Sequence, residues 1–383
     1  MRVLYFAGPG DIVSTYEYWN KGVDDPTETN VTYSGRFFSL CKKKSMSAYV
    51  VSTNRNIKSL INGAVTVEHR PNNLDQKGGF LFHAGQLMAG IRMVFKAITW
   101  KADYVIVSSG THWFLLWPLA LLGIKIIPTI HCVIRPKYKK RNVVNKCIDY
   151  FNGLFFKYVA DEIMSASKEI TRQLKRCNVD DKKVHEFLPL YKREGFDKIL
   201  PIEHKAKPFR ILYVGRIEKV KGVFDLLKVF EKLTSKGLDV ELSYCGTGGA
   251  LSSLEKKVIS NSKVTCYGHC NREDLLSIIN SVHVFVVPTT TDFVEGFNQV
   301  VVEAILSGRP VVTSDVCPAM EYVLEAALEC EPDNIESYID NIESLYKNEA
   351  LYKLKQKNCE ALQEDFYDES NSWGNVLEKI LSK

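Results

Sequence analysis

The sequence predicts an α/β protein of two doubly wound domains, each with a largely parallel sheet. Three observations carry this. Short β-branched and aromatic runs, apolar on both faces, alternate with helical stretches along the whole chain, as buried parallel strands do. At roughly 100–200 residues per domain, 383 residues suffice for two cores. Between Tyr191 and Arg210 the chain turns polar, carries two prolines and loses periodicity, which places a linker there. The expected domains are residues 1–198 and 199–365.

In the first half, strands are expected at Val3–Phe6, Tyr49–Ser52, Tyr104–Val107, Lys125–Ile130 and Glu162–Ser165. The loop after the first, Ala7–Asp11, reads AGPGD. It fails as a dinucleotide fingerprint, because Val13 stands where the third glycine belongs, so a Rossmann dehydrogenase is disfavoured. His131 closes the strand IIPTIH, and an imidazole at the carboxyl end of a parallel strand points into the ligand crevice. His112, in SSGTHWF, also follows a strand and reads as a loop histidine.

The second half repeats the pattern with chemistry attached. Ile211–Val214 reads as a buried strand, and the following VGRIEKVKG brings Arg216 and Lys221 onto one loop ahead of a helix near Val223. Strand-and-glycine units follow at Leu238–Gly246 and Lys263–Gly268. The turn CGTGG offers Gly246 as a close approach of backbone to ligand, and YGHCNREDLL places His269 and Asn271 on the next loop. Val284–Val287 is the next strand, closed by Pro288. From Gln299 apolar residues recur at helical spacing, Asn298 stands at the N-cap position, and Gly308 and Pro310 end the helix before the strand Val311–Thr313. The loop between carries Glu295, Gly296 and Phe297, with Glu303 one turn inside the helix. Amides near Gly296, Phe297 and Asn298 are expected to face an anion such as a diphosphate. The two carboxylates, Glu295 and Glu303, are spaced to reach different parts of one extended ligand, one taking sugar hydroxyls and the other ribose hydroxyls.

The stretch PTTTDFVEGFNQVVVEAILSGRPVVTS resembles the donor-site signature of retaining glycosyltransferases of family 4, and VGRIEKVKG resembles the same family's phosphate-binding segment. The resemblance implies the GT-B architecture: two Rossmann-like domains facing each other across a cleft, with the C-terminal segment 366–383 crossing back to the N-terminal domain. It places Arg216 and Lys221 on the phosphates, Gly10 on the loop facing the cleft, His131 near the reactive end of the donor sugar, and His269 and Asn271 beside the nucleobase. It also supplies the stereochemistry, transfer with retention. No residue stands out as a covalent nucleophile, so attack on the face the leaving group departs from is the expected route. The donor is a UDP- or GDP-linked hexose-type sugar. Two other classes stay open: a GT-B-like sugar-nucleotide epimerase or hydrolase, and a catalytically silent binding subunit of a polysaccharide assembly complex.

No D-x-D triplet occurs, so fixed cations and helix-terminal amides are expected to replace a divalent metal, and no cofactor is expected. Residues 1–200 carry 30 Lys and Arg against 17 Asp and Glu; the remainder carries 20 against 28. The cations cluster in CKKKS at Cys41–Ser45 and in RPKYKKR at Arg135–Arg141, the latter close to Phe151, Phe155 and Phe156. Cations beside exposed aromatics suit an anionic membrane surface and a glycan or polyprenyl-linked acceptor. Two short basic blocks without a nucleic-acid module speak against nucleic acid. The most apolar run, Trp113–Leu122, is broken by Pro118 and falls short of the about 20 residues a crossing needs. MRVLYFAG enters a strand directly, unlike a signal peptide. Ten cysteines without a C-x-x-C pair read as reduced thiols. The expected location is the cytoplasm, with peripheral contact to the inner face of the plasma membrane.

Overall fold

A computed structural model describes residues 1–74 and 77–383. Fourteen strands are described: β1 Arg2–Phe6, β2 Ser47–Ser52, β3 Ser59–Asn62, β4 Val65–His69, β5 Tyr104–Val107, β6 Lys125–Ile130, β7 Ile163–Ser165, β8 Val184–Glu186, β9 Phe209–Val214, β10 Val240–Cys245, β11 Val264–Gly268, β12 Val284–Val287, β13 Val311–Ser314 and β14 Ala327–Cys330. They form two sheets, ordered β3-β4-β2-β1-β5-β6-β7-β8 and β11-β10-β9-β12-β13-β14. Every pairing in both is parallel except β3 with β4.

The central strands are buried on both faces, Val284–Val287 and Val311–Ser314 along their whole length. This is why Val284–Val287 reads as an unbroken apolar run rather than an alternating one. Three elements escape the sequence pattern. The β3–β4 hairpin turns on Asn62-Gly63, with Asn62 opposite Val65. Strands β8 and β14 are short edge strands.

In each sheet the strand order reverses beside one central strand. In the second sheet this is β9, flanked by β10 and β12, and ligands of open parallel sheets bind outside the carboxyl ends at such a point. The carboxyl ends of the two sheets approach each other: a Cβ on Gly296, after β12, would stand 2.9 Å from the His131 carbonyl oxygen, after β6.

The helix Trp373–Ile380 belongs to the first core, although it ends the chain. Trp373, Val376, Leu377, Ile380 and Leu381 join the cluster built on β1, β5 and β6. Trp373 is 1% exposed, its ring lies 5.6 Å from that of Tyr5, and its indole N–H donates to Thr129 Oγ1 at 2.9 Å. The amphipathic period of the last residues thus matches a real interior face. We predict that Trp373→Ala destabilises the N-terminal domain by about 3–5 kcal/mol, the usual cost of emptying a large buried aromatic site. Denaturant unfolding checks this; an unshifted transition would detach the helix from that core.

Candidate functional site

Two loops at the switch point of the second sheet are bolted together. Gly222 adopts φ 74°, and a Cβ there would stand 1.9 Å from the Pro288 carbonyl oxygen, so the loop after β9 presses its backbone onto the end of β12 where only glycine fits. Thr290 reinforces the contact, donating its N–H (3.1 Å) and its hydroxyl (2.9 Å) to the Val220 carbonyl. Lys221 lies between these anchors.

Lys221 Nζ donates to Glu295 Oε2 at 2.5 Å, and the two side chains are 12% and 8% exposed. The same oxygen accepts from Thr289 Oγ1 (3.0 Å) and Asn298 Nδ2 (3.1 Å), so all the recorded hydrogen bonds of the carboxylate fall on Oε2. Phe293 sits beneath both cations, its ring centroid 4.0 Å from Lys221 Nζ and 5.2 Å from the Arg216 guanidinium carbon, a cation–π arrangement. Arg216 is exposed and has no ion pair among the described residues. The structure thus brings Arg216, Lys221 and Glu295 together. Glu295 also lines an interdomain cavity of about 570 Å³ with Arg135, Tyr138 and Arg172.

The amides of Gly296, Phe297 and Asn298 donate to no acceptor among the described residues, at the start of the helix Gln299–Leu306. One expectation is corrected here. Asn298 occupies the N-cap position at φ 68° but makes no side-chain cap; its amide bonds Glu295 and Cys317 instead. The Phe297 ring is buried against Tyr322, 5.2 Å between centroids, so only its backbone is available to a ligand. Gly246 is demanded by the chain itself, since a Cβ there would stand 1.8 Å from the Gly215 carbonyl oxygen.

Glu303 is 6% exposed, and Oε1 accepts from Thr29 Oγ1 of the N-terminal domain at 2.5 Å. Burial raises its pKa. Glu28, next to Thr29, is pushed up to about 7 by burial and by the charges of Asp25 and Glu303. The segment carrying these residues is held to the second domain by Arg272, whose N–H donates to the Pro26 carbonyl and whose guanidinium pairs with Asp24 at 3.5 Å. A ribose reaching Glu303 would meet Oε2, which makes no hydrogen bond among the described residues, or take the place of the Thr29 hydroxyl on Oε1. His269 is exposed with no partner among the described residues, whereas Asn271 caps the helix Arg272–Asn280 by accepting from Asp274 N at 2.9 Å.

His131 packs between Tyr33 (5.0 Å) and Phe187 (5.4 Å), and this burial lowers its pKa to about 4. Its Nε2 lies 3.2 Å from Thr129 Oγ1, the oxygen that accepts from Trp373. A hydroxyl oxygen can accept two hydrogen bonds and donate one, so beside Trp373 the threonine either donates to Nε2 or accepts from Nε2–H, according to the tautomer of the neutral ring. Gly10, His112 and His131 line a second cavity, of about 740 Å³, in the N-terminal domain. His112 Nε2 lies 3.1 Å from Nδ1 of His83, a residue that nothing in the sequence joins to it, 29 positions away on a helix. Burial, and then the neighbouring His83, lower the His112 pKa to about 4.

Two parallel-sheet domains facing each other at their carboxyl ends, with the ligand loops on the second, define the GT-B type of glycosyltransferase fold. Residues 196–363 match a family model described as "Glycosyl transferases group 1", and over that segment a resemblance to glycosyltransferases is borne out. The Staphylococcus aureus protein described as capsular polysaccharide biosynthesis glycosyltransferase CapM is 33% identical over 149 residues, 37% of this chain and 38% of that protein. Over such matches the chain spans well under two thirds of the curated relatives' length. Solved structures align over the full chain: Anabaena HepE in complex with UDP, TM-score 0.66 at 14% identity and 99% of that chain, and WaaG, described as a glycosyltransferase involved in lipopolysaccharide biosynthesis, TM-score 0.67 at 14% identity and 100% of that chain.

The buried ion pair makes a stability prediction. Lys221→Ala leaves a buried carboxylate without its cation and is expected to cost about 3 kcal/mol. Arg216→Ala removes an exposed, unpaired cation and is expected to stay within about 0.5 kcal/mol of the parent. Chemical unfolding of both variants distinguishes them, and equal losses would contradict the pairing.

Proposed function

We propose that the protein is a retaining glycosyltransferase that moves a hexose-type sugar from a UDP- or GDP-linked donor to a glycan or polyprenyl-linked glycan. The observation that carries this is the convergence of Arg216 and Lys221 over Phe293, with Glu295 on Lys221, at the switch point of the second sheet. The family match over residues 196–363 and the complex of the HepE fold neighbour with UDP support a nucleotide-sugar donor.

In this reading the diphosphate lies against the amides of Gly296–Asn298 and the two cations. Charge grows on the leaving phosphate as the anomeric C–O bond breaks, so cations fixed there are worth most in the transition state. Glu295 offers its unengaged Oε1 to the sugar hydroxyls. Glu303 exchanges Thr29 for the ribose. Gly10 and neutral His131 face the sugar and acceptor from the opposite domain, and His269 stands beside the nucleobase. The acceptor oxygen bonds to the anomeric carbon on the face from which the phosphate departs, and its proton passes to the departing phosphate oxygen. No metal takes part, and no cofactor beyond the donor is needed. The acceptor side is a membrane-bound glycan reached from the cytoplasmic face.

Two substitutions separate the carboxylates. Glu295→Gln is expected to lower kcat by roughly 10²-fold with nucleoside diphosphate affinity retained. Glu303→Ala is expected to weaken UDP or GDP binding by about 1.5–3 kcal/mol, the worth of a charge-assisted hydrogen bond. Calorimetric titration paired with turnover in excess EDTA tests both and the metal-free chemistry together. Reversed effects would exchange the two roles, and turnover abolished by the chelator and restored by Mn²⁺ would refute metal independence.

A further inference from the structure

The basic and aromatic residues expected at a membrane surface are mostly engaged elsewhere. Phe155 and Phe156 are fully buried in the first core. Lys43 pairs with Glu378, and Lys44 donates to Ser382 Oγ, so the Cys41–Ser45 block faces the C-terminal helix. In the second block Lys137 pairs with Asp315 and Arg141 with Asp149.

The exposed apolar surface lies instead on the helix Gly79–Thr99. Gly85, Gln86, Gly90, Met93 and Ala97 point to the protein, and a Cβ on Gly90 would collide with Thr111 Oγ1 at 2.5 Å, so the helix is seated closely. The opposite side should be polar on a water-facing helix. It is not. Phe80 is 83% exposed, Phe95 67% and Ile91 59%, and Leu87, Met88 and Ile98 are exposed along the same stripe. Trp117, Leu121 and Leu122 of the adjoining helix Trp117–Leu121 and its end extend it. An apolar surface of this breadth marks an interaction site.

The same helix lines the cavity of about 740 Å³ through Phe82, His83 and Gln86. A chain of ring contacts runs from Phe82 to His112 (6.4 Å), from His112 to Phe114 (5.9 Å) and from Phe114 to Phe151 (5.6 Å). They join this helix to Val143–Tyr158, where Val143, Val144, Tyr150 and Phe151 are exposed. Apolar side chains thus flank the cavity from two helices.

The chain between these two helices is strongly basic. Residues 76–148 contain eleven Lys and Arg and one acidic residue, Asp103. Arg92, Lys101, Lys139, Lys140 and Lys146 have no ion pair among the described residues. A two-fold contact with a second copy would set such cations against themselves, whereas an anionic headgroup layer neutralises them and accepts the apolar stripe below. No described helix is long and apolar enough to cross a membrane.

We propose that the exposed faces of helices Gly79–Thr99 and Val143–Tyr158 form a docking surface for an anionic lipid bilayer, onto which the N-terminal cavity opens. It deepens the reading of a membrane-bound acceptor and rests on it only for the cavity's occupant. The test is vesicle flotation with phosphatidylcholine alone and with added phosphatidylglycerol, comparing the full chain with Ile91→Glu/Phe95→Glu and Lys139→Glu/Lys140→Glu. The parent is expected to float with the anionic vesicles only, less so at high salt, because screening shortens the reach of surface charge. Each double variant should bind at least about ten-fold more weakly, since burial of two large side chains or attraction of two cations is lost. Their thermal unfolding and UDP affinity should be unchanged. Failure of the parent to float, or undiminished flotation of Ile91→Glu/Phe95→Glu, would overturn the proposal. So would a parent dimer in light scattering that this variant splits, which would assign the face to a second copy. Intact flotation without any sugar transfer would count against the transferase reading and leave the docking surface standing.

Discussion

The buried contact between Lys221 and Glu295 is the constraint on which the site depends. It ties the loop after β9 to the loop after β12 at the point where the strand order reverses, and it is supported on each side by contacts that leave little freedom: Gly222 against Pro288, Thr290 on Val220, and Thr289 and Asn298 on the same carboxylate oxygen. Burying two charges is expensive and returns little net stability. What the pair provides is position. Lys221 is held in place before any ligand arrives, and Arg216, unpaired above the same aromatic ring, adds a second positive charge. A fixed cation needs no reorganisation when negative charge develops beside it, which is the physical basis of the proposed transfer.

The opposite domain contributes along two routes. One is the strap around Asp24–Thr29, which meets Arg272 of the second domain and satisfies Glu303 with a hydroxyl. The other runs from the last helix of the chain through Trp373 and Thr129 to His131. That route joins a core-packing residue to a ring at the cleft, so the return of the C-terminal segment shapes the site as well as the N-terminal core. A histidine with its pKa drawn down to about 4 is neutral at physiological pH and offers a polar N–H without a charge.

Much of the architecture was legible because buried parallel strands leave a plain mark. The run at Val284–Val287 is apolar on both faces, and the loops after β9 and β12 carry Arg216, Lys221 and Glu295 within recognisable local motifs. What stayed hidden depends on distance in the chain. Thr29 meets Glu303 across 274 positions, and His83 meets His112 from a helix whose apolar sequence disguises it. The β3–β4 hairpin did have a local signal, the Asn62-Gly63 pair, a dipeptide suited to a tight reversal. Phe155 and Phe156 misled because periodicity tells which residues share a helix face, not whether that face meets the core or solvent. The helix Gly79–Thr99 shows the converse: it is apolar nearly all round, and only the packing separates its seated side from its exposed one.

A crystal structure of the protein with bound UDP or GDP would test the central role of Lys221 and Glu295 most directly. Lys221 Nζ is expected within hydrogen-bonding distance of the terminal phosphate, with Glu295 still held by Thr289 and Asn298, the ribose on Glu303, and Thr29 displaced from it. A nucleotide bound with its phosphates away from Lys221 and Arg216, the Thr29 contact to Glu303 intact, would contradict it.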